Sequence, residues 1–438
     1  MSAGVQILMA LASVAAAVGL IALVRARAKA MGWSAEVQRK LVHIGTGLYA
    51  LTLPWLFPDR WPVLLLLGLT ILVMLILRLP RFRQGIGASL HSVERTSYGD
   101  LLLALAVATV FLLADTPVLY VLPLAILTLS DAAAALTGST YGRRFFTVED
   151  GEKSVEGSVA FFMTSFILSM ICLLVLSDTP RVNVIYLGAI VAAFGTLVEA
   201  DSWRGFDNFF LPAGLMIFLQ GNLHTPPEQV FLIMLAFLFA IWAAVKFCPR
   251  LGVPAHTARV YVTAAFLLLS VVSLAHAALP LLVFVTHAFC QRRNPDEASH
   301  PELDGVAAVA LMSFFWLVLG RSSGAFNLEL FGMTALSMCV AFVTLAFAGS
   351  STVIALVAGV LAASTGGVLH AVLTVPEVAL ANAMRVSLPI LFSGCALAVL
   401  VPALRPGWFA AWRAARVAGL ALVVPLIAFA LQYPLIRG

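Results

Sequence analysis

Charge is scarce in this sequence: Asp, Glu, Lys and Arg make up 11% of its 438 residues, against 62% hydrophobic residues and a mean hydropathy of +1.02. A soluble domain carries about a quarter charged residues and is nearer half apolar, so an ordinary soluble fold is excluded. Lysine is scarcer still, with four residues (Lys29, Lys40, Lys153 and Lys246) among 26 basic ones. Cysteine occurs five times, at Cys172, Cys248, Cys290, Cys339 and Cys395, with no CxxC pair and no short even spacing. That pattern excludes a disulfide framework and reads as small buried hydrophobes. No GxxxxGK precedes a Ser or Thr, which excludes a P-loop. His276, His287, His300 and His370 show neither HxxxH nor HExxH spacing, and no metal site is inferred from them.

Long apolar runs fill the space that charge leaves. In the first half they cover residues 5–24, 41–57, 61–77, 101–114, 118–136, 158–176, 184–198 and 230–245. In the second half they cover about residues 260–279, 305–320, 330–348, 353–371, 387–404 and 417–436. A bilayer-spanning helix needs roughly 20 apolar residues. The expectation is an all-α, polytopic integral membrane protein with about 13–15 transmembrane helices.

The net charge of +5 and pI near 9.1 do not indicate nucleic acid, because the cations sit in short connectors rather than in one patch. Arg25, Arg27, Lys29, Arg39 and Lys40 follow the first run. Arg78, Arg81, Arg83 and Arg95 follow the third, and Arg143, Arg144 and Lys153 the fifth. By the positive-inside rule odd-numbered spans exit into the cytoplasm, as in a bacterial inner membrane or its equivalent, and the N-terminus lies outside. The first run lacks a basic leader and is expected to be a retained span rather than a cleaved signal peptide.

Polar content divides the chain. Most carboxylate-bearing loops fall in residues 25–208, and prolines at Pro249 and Pro254 break helix near a boundary at residues 247–257. A membrane domain over residues 1–246 and a second multi-span domain over residues 259–438, of unassigned role, are expected. Residues 188–213 and 355–389 share an Ala/Gly-rich run followed by a proline-bearing one, the trace of a possible degenerate repeat.

Four polar stretches fall at ends assigned to the cytoplasm. They are Arg39-Lys40-Leu41-Val42-His43, Glu94–Asp100, residues 129–162, and Glu199–Asn208. In a helix, Asp131, Ala135, Gly138 and Gly142 share one stripe, a carboxylate heading a row of small residues. The glycines alone indicate helix packing. An ionisable group in a span costs about 2.5–3.5 kcal/mol to insert and so indicates function. Lys153-Ser154-Val155-Glu156-Gly157-Ser158 opens a span, where unpaired N–H groups would suit an anion, although, taken alone, a flanking lysine paired with Glu156 explains it better. Glu199, Asp201 and Asp207-Asn208 gather carboxylates of the kind that hold Mg²⁺ together with substrate phosphates. They could equally form a solvated loop. His43 could bond a phosphate or a substrate hydroxyl, or be structural.

RKLVHIG (39–45), the S-x-G-D segment (97–100), LSDAAAALTGSTYG (129–142), EKSVEGS (152–158) and VEA…FDNFFLP (198–212) follow one another as in the CTP-dependent polyprenol kinases. The chain resembles that family of dolichol and phytol kinases and their bacterial relatives over about residues 35–220. The family is in turn distantly similar to the phosphatidate cytidylyltransferases. The resemblance implies transfer of the γ-phosphate of CTP, with Mg²⁺, to a long isoprenoid alcohol such as phytol, geranylgeraniol, dolichol or undecaprenol. It implies a CTP–metal site of Asp131, Gly138, Gly142, Lys153, Ser154, Glu156, Gly157, Glu199, Asp207 and Asn208, with Arg39, Lys40 and His43 nearby. Asp131 and Asp207 would hold the metal, Lys153 would clamp phosphate, and either Glu199 or Glu156 would orient or deprotonate the hydroxyl. The linker before KSVEGS lacks the proline often found there, and residues 259–438 have no counterpart in the motif set.

Two other functions fit parts of the pattern. A cytidylyltransferase would use similar nucleotide equipment, but the dense Lys-Arg-Lys-Asp and His-Gly-Gly run ending in Asp-Arg-x-Asp is missing. A secondary transporter fits the span count, yet transporters place polar groups near the bilayer midplane on broken helices.

Overall fold

Apolar runs of this length must satisfy their own backbone groups within the bilayer, and helix is the conformation that does so within one segment. The computed structural model describes residues 1–77, 99–148, 151–251, 255–296, 300–323, 325–374 and 387–437. Ten helices among the described residues are long and apolar enough to cross a membrane, and four shorter ones are also apolar. The protein is an all-α polytopic membrane protein. It splits into two compact units, Met1–Phe247 and Cys248–Gly438. Arg78, Arg81, Arg83, Arg95 and the stretch from Glu94 to Tyr98 lie outside the described residues, as do residues 375–386 of the possible repeat.

The first unit begins with α1 (Ala3–Met31), α2 (Ala35–Leu56), α3 (Arg60–Leu77) and α4 (Gly99–Leu113). Gly32 ends α1 in the left-handed conformation, φ 67°, where its N–H bonds to the Ala28 carbonyl. Ser34 then caps α2, accepting from the Val37 N–H at 3.3 Å. Next comes a continuous rod: α5 (Pro117–Ala125), a π turn (Ile126–Ser130) and α6 (Asp131–Tyr141). A hairpin of β1 (Phe145–Val148) and β2 (Gly151–Ser154) follows, with Phe146 opposite Lys153. The unit closes with α7 (Val155–Leu176), α8 (Arg181–Ala200), α9 (Asp207–Asn222) and α10 (Pro227–Phe247).

The helices of this unit are apolar on the outside. Along α7, Val159, Met163, Ile167 and Ile171 are exposed, whereas Ser165 and Ser169 are buried. A lipid-facing helix has this arrangement, with small or polar residues kept for helix contacts. At the centre stands α9, buried from Phe209 to Leu219 almost without interruption and packed on α4, α5 and α8.

The second unit comprises α11 (Ala255–Val271), α12 (Leu274–Arg293), α13 (Pro301–Ser323), α14 (Ala325–Ala348), α15 (Thr352–Thr374), α16 (Leu388–Leu404) and α17 (Arg413–Arg437). Its buried axis is α14, on which α12, α13, α15, α16 and α17 all pack. Arg413 is buried and donates to the Asn294 and Pro295 carbonyls, fastening the start of α17 to the end of α12.

Among the described residues two helices escape the apolar-run reading. The run at residues 260–279 resolves into α11 and the start of α12, which part at residues 272–273. Central α9 gives no long apolar run because it is 16 residues long, opens with Asp207-Asn208 and contains Pro212. Sidedness assigned by alternation beyond residue 208 therefore rests on a count that omitted a helix. The hairpin at residues 145–154 stood in the sequence only as a charged linker.

Candidate active site

Asp131 opens α6 and is buried directly after the π turn. Lys40 on α2 reaches it, placing Nζ 2.6 Å from both carboxylate oxygens. His43, one turn further along α2, puts Nε2 3.7 Å from Asp131 Oδ2 and 3.3 Å from the carbonyl oxygen of Leu127 within the π turn. Helix α2 lies close because Gly47 faces Thr128: a Cβ there would stand 2.6 Å from Thr128 Cγ2. Tyr120 adds a clamp, donating to the Ala50 carbonyl at 2.6 Å.

The glycines bring the second part of the site onto the first. A Cβ on Gly138 would lie 2.8 Å from Ser154 Oγ, and one on Gly157 would lie 2.9 Å from the Ala134 carbonyl oxygen. These contacts join α6 to the start of α7 and so hold the hairpin against the end of α6. Gly142 sits behind this contact, against Phe145 and Ser154. Gly157→Ala is expected to cost about 1–3 kcal/mol, because backbone rather than a flexible side chain must give way. A thermal melt in detergent checks it, and an unchanged midpoint would show that the crossing adapts.

Lys153, on β2, crosses to the end of α8. Its Nζ lies 2.7 Å from Glu199 Oε1 and 3.5 Å from Ser202 Oγ, and it also donates to the Glu199 carbonyl. Burial pulls the ammonium down, but the Glu199 and Asp207 carboxylates outweigh it and hold the group above its ordinary value. Beyond α8 the chain turns sharply, with Arg204 at φ 49° and Gly205 at φ 82°, before Asp207 starts α9. Trp203 and Phe206 pack 5.2 Å apart beneath this turn.

These segments enclose a cavity of about 410 Å³. Arg39, Lys40, Lys153 and Arg204 line it with positive charge, and Asp131, Glu152, Glu199 and Asp207 with negative charge. Gly138, Ser154, Gly157 and Asn208 complete the wall among the residues expected from sequence. Three expected residues do not line it. His43 stands behind Asp131, Gly142 lies at the helix contact, and Glu156 accepts from the backbone N–H groups of Arg143 and Arg144 at 3.1 and 3.3 Å.

The start of α7 also differs from expectation. The Val155 N–H donates to the Arg144 carbonyl at 2.8 Å and the Gly157 N–H to Ser154 Oγ at 3.0 Å. Internal bonds thus occupy N–H groups that an open first turn would have offered to an anion, leaving the side-chain cations as the main attraction. Glu152, Ser202 and Arg204 line the cavity without having been singled out by sequence. Each lies in a hairpin or turn where no helical period marks the inward face.

The donor set suits a divalent cation. Among the described residues no hydrogen bond or ion pair reaches the Asp207 carboxylate, which lines the cavity beside Asn208. Asp131 receives one ammonium yet keeps lone pairs on both oxygens. One or two carboxylates completed by phosphate oxygens are what Mg²⁺ requires.

Comparison with known proteins gives one informative result. A phytol kinase from Synechocystis sp. is 31% identical over 183 residues, covering 41% of this chain and 76% of that relative. No family model matches the chain, and no solved structure matches it.

Proposed function

The chain belongs to the phytol kinase family, and from that footing we propose that it transfers the γ-phosphoryl group of CTP to the hydroxyl of a membrane-borne isoprenoid alcohol. The observation that carries the proposal is the cavity in the first unit, where two of the chain's four lysines meet Asp131, Glu199 and Asp207 from distant parts of the sequence. Phosphoryl transfer asks a protein mainly to position its reactants and neutralise charge, with little covalent chemistry. A site built from fixed cations and carboxylates supplies both.

Each side chain then takes a role from its position. Lys153 is held by Glu199 and Ser202 and presents a fixed ammonium to the phosphates. Arg39 and Arg204 add positive charge at the wall. Asp207 and Asp131 would hold Mg²⁺, which supplies neutralisation of charge on the triphosphate. Of the two carboxylates considered for the alcohol, Glu199 lines the cavity and Glu156 does not, so Glu199 is assigned to orient the hydroxyl. His43 positions Asp131 from behind. The alcohol approaches from the bilayer and the nucleotide from the cytoplasm.

Membranes containing the protein, incubated with γ-labelled CTP or ATP and a panel of phytol, geranylgeraniol, farnesol and undecaprenol, test this directly. Label is expected on at least one alcohol, with release of nucleoside diphosphate and a preference for CTP. Release of pyrophosphate would instead indicate cytidylyl transfer, and label on no lipid would defeat the proposal. Nucleotide-independent flux of a solute into liposomes, lost in Asp131→Asn, would favour a transporter.

A further inference from the structure

We propose that the second unit carries a binding site for a zinc-class divalent metal ion, formed by His256, His300 and Glu302. His256 lies in the first turn of α11, whereas His300 and Glu302 flank Pro301 at the start of α13. One ligand atom from each residue falls within 4.8 Å of the other two. Within the set His256 Nε2 and Glu302 Oε1 are 3.8 Å apart. Donors around a tetrahedral ion with bonds of about 2.0–2.2 Å stand roughly 3.3–3.6 Å from one another, so small side-chain rotations close the set.

The surroundings favour an ion over a simple pair. A His256–Glu302 pair alone accounts for two of the three groups and leaves the approach of His300 unexplained. An ion uses all three. The imidazole rings stand 6.2 Å apart at 76°, edge to face, so their edges can point at a common centre without stacking. The Thr257 hydroxyl lies 3.2 Å from His256 Nε2 and donates to Glu302 Oε1 at 3.3 Å, the latter the kind of outer bond that orients a ligating carboxylate. His256 and Glu302 keep 29% and 25% of their side-chain surface exposed, enough for an ion to enter. Two imidazoles and one carboxylate select zinc and its transition-metal neighbours over Mg²⁺ or Ca²⁺, which demand oxygen ligands.

The site also has a structural consequence. The buried residues of α11 are Thr257, Ala258, Val260 and Thr263, all in its first half. The ion would therefore fasten α11 to α13 at the end by which α11 is held. Sequence spacing hides this, because the two histidines lie 44 residues apart, His256 in α11 and His300 just before α13.

The test uses untagged full-length protein in detergent, stripped with chelator and titrated with Co²⁺ and then Zn²⁺. One equivalent of Co²⁺ is expected, with the visible absorption of a four-coordinate ion, displaced by Zn²⁺ and not by excess Mg²⁺. His300→Ala and the near-isosteric Glu302→Gln should each weaken binding by more than the roughly 10–100-fold typical of outer-shell changes. His224→Ala, an exposed histidine in the first unit, should leave it unchanged. If His300→Ala does not fold, Glu302→Gln alone decides. No stoichiometric binding by the wild type, or undiminished binding by Glu302→Gln, overturns the proposal. Because the readout is metal content, neither outcome depends on prenol kinase activity.

Discussion

Asp131→Asn is expected to lower phosphoryl transfer by about 10²–10³-fold or more, the scale of losing one preorganised charge at a reacting centre. It should also destabilise the first unit by about 3–5 kcal/mol, because the Lys40 ammonium, 2.6 Å from both carboxylate oxygens, would be left buried without a counter-charge. The two effects separate in a double variant. Replacing a buried pair by apolar residues of similar volume is commonly neutral or stabilising, so Lys40→Met with Asp131→Leu should recover the melting temperature. It should not recover label transfer. Both quantities measured on the same preparations decide the matter, and a stable double variant with wild-type activity would reduce the pair to a packing device.

The second large effect belongs to Lys153. Lys153→Ala should cut kcat by about 10²–10³-fold while the alcohol KM changes little, since the ammonium acts on the phosphates. Lys153→Arg should fail to rescue, because a planar fork cannot repeat a compact ammonium seated between the Glu199 carboxylate, its carbonyl and Ser202. The raised ionisation of Lys153 fixes the sign of its pH dependence. The group stays charged throughout the physiological range, and its contribution to stability is complete below the ordinary lysine value and lost only as pH climbs through the raised one. Any alkaline fall in rate near neutrality must come from another group. A pH–rate profile of Lys153→Arg that loses such a limb would contradict this assignment.

Much of this site can be read in the sequence. In a chain with so few charges, each carboxylate next to an apolar run stands out, and Lys40, Asp131, Lys153, Glu199 and Asp207 were all visible that way before they met around one cavity. What sequence could not supply was pairing. That Lys40 takes Asp131 and Lys153 takes Glu199 depends on segments 91 and 46 residues apart approaching within hydrogen-bond reach. Glu156 shows the opposite failure. It sits in the most distinctive motif, yet its side chain is spent on the Arg143 and Arg144 backbone, a local bond that no periodicity announces. Central α9 was hidden because burial on all sides inside a membrane unit permits prolines, glycines and polar ends that an apolar-run count penalises. His256 and His300 were missed for the same reason as the lysine pairings.

The π turn at residues 126–130 can finally be restated as a matter of chain length. A π turn holds about one residue more than the α turn it replaces. Both complete one revolution, so deleting one residue there would let the rod run as unbroken α-helix with everything after it turned only slightly around the axis. Asp131 would still face Lys40 and Gly138 would still meet Gly157, but the widened turn that presents the Leu127 carbonyl to His43 would be gone. The two halves of the cavity therefore keep their phase whether or not this one place holds its surplus residue, whereas a residue deleted from the regular helix on either side would swing everything after it by about 100°.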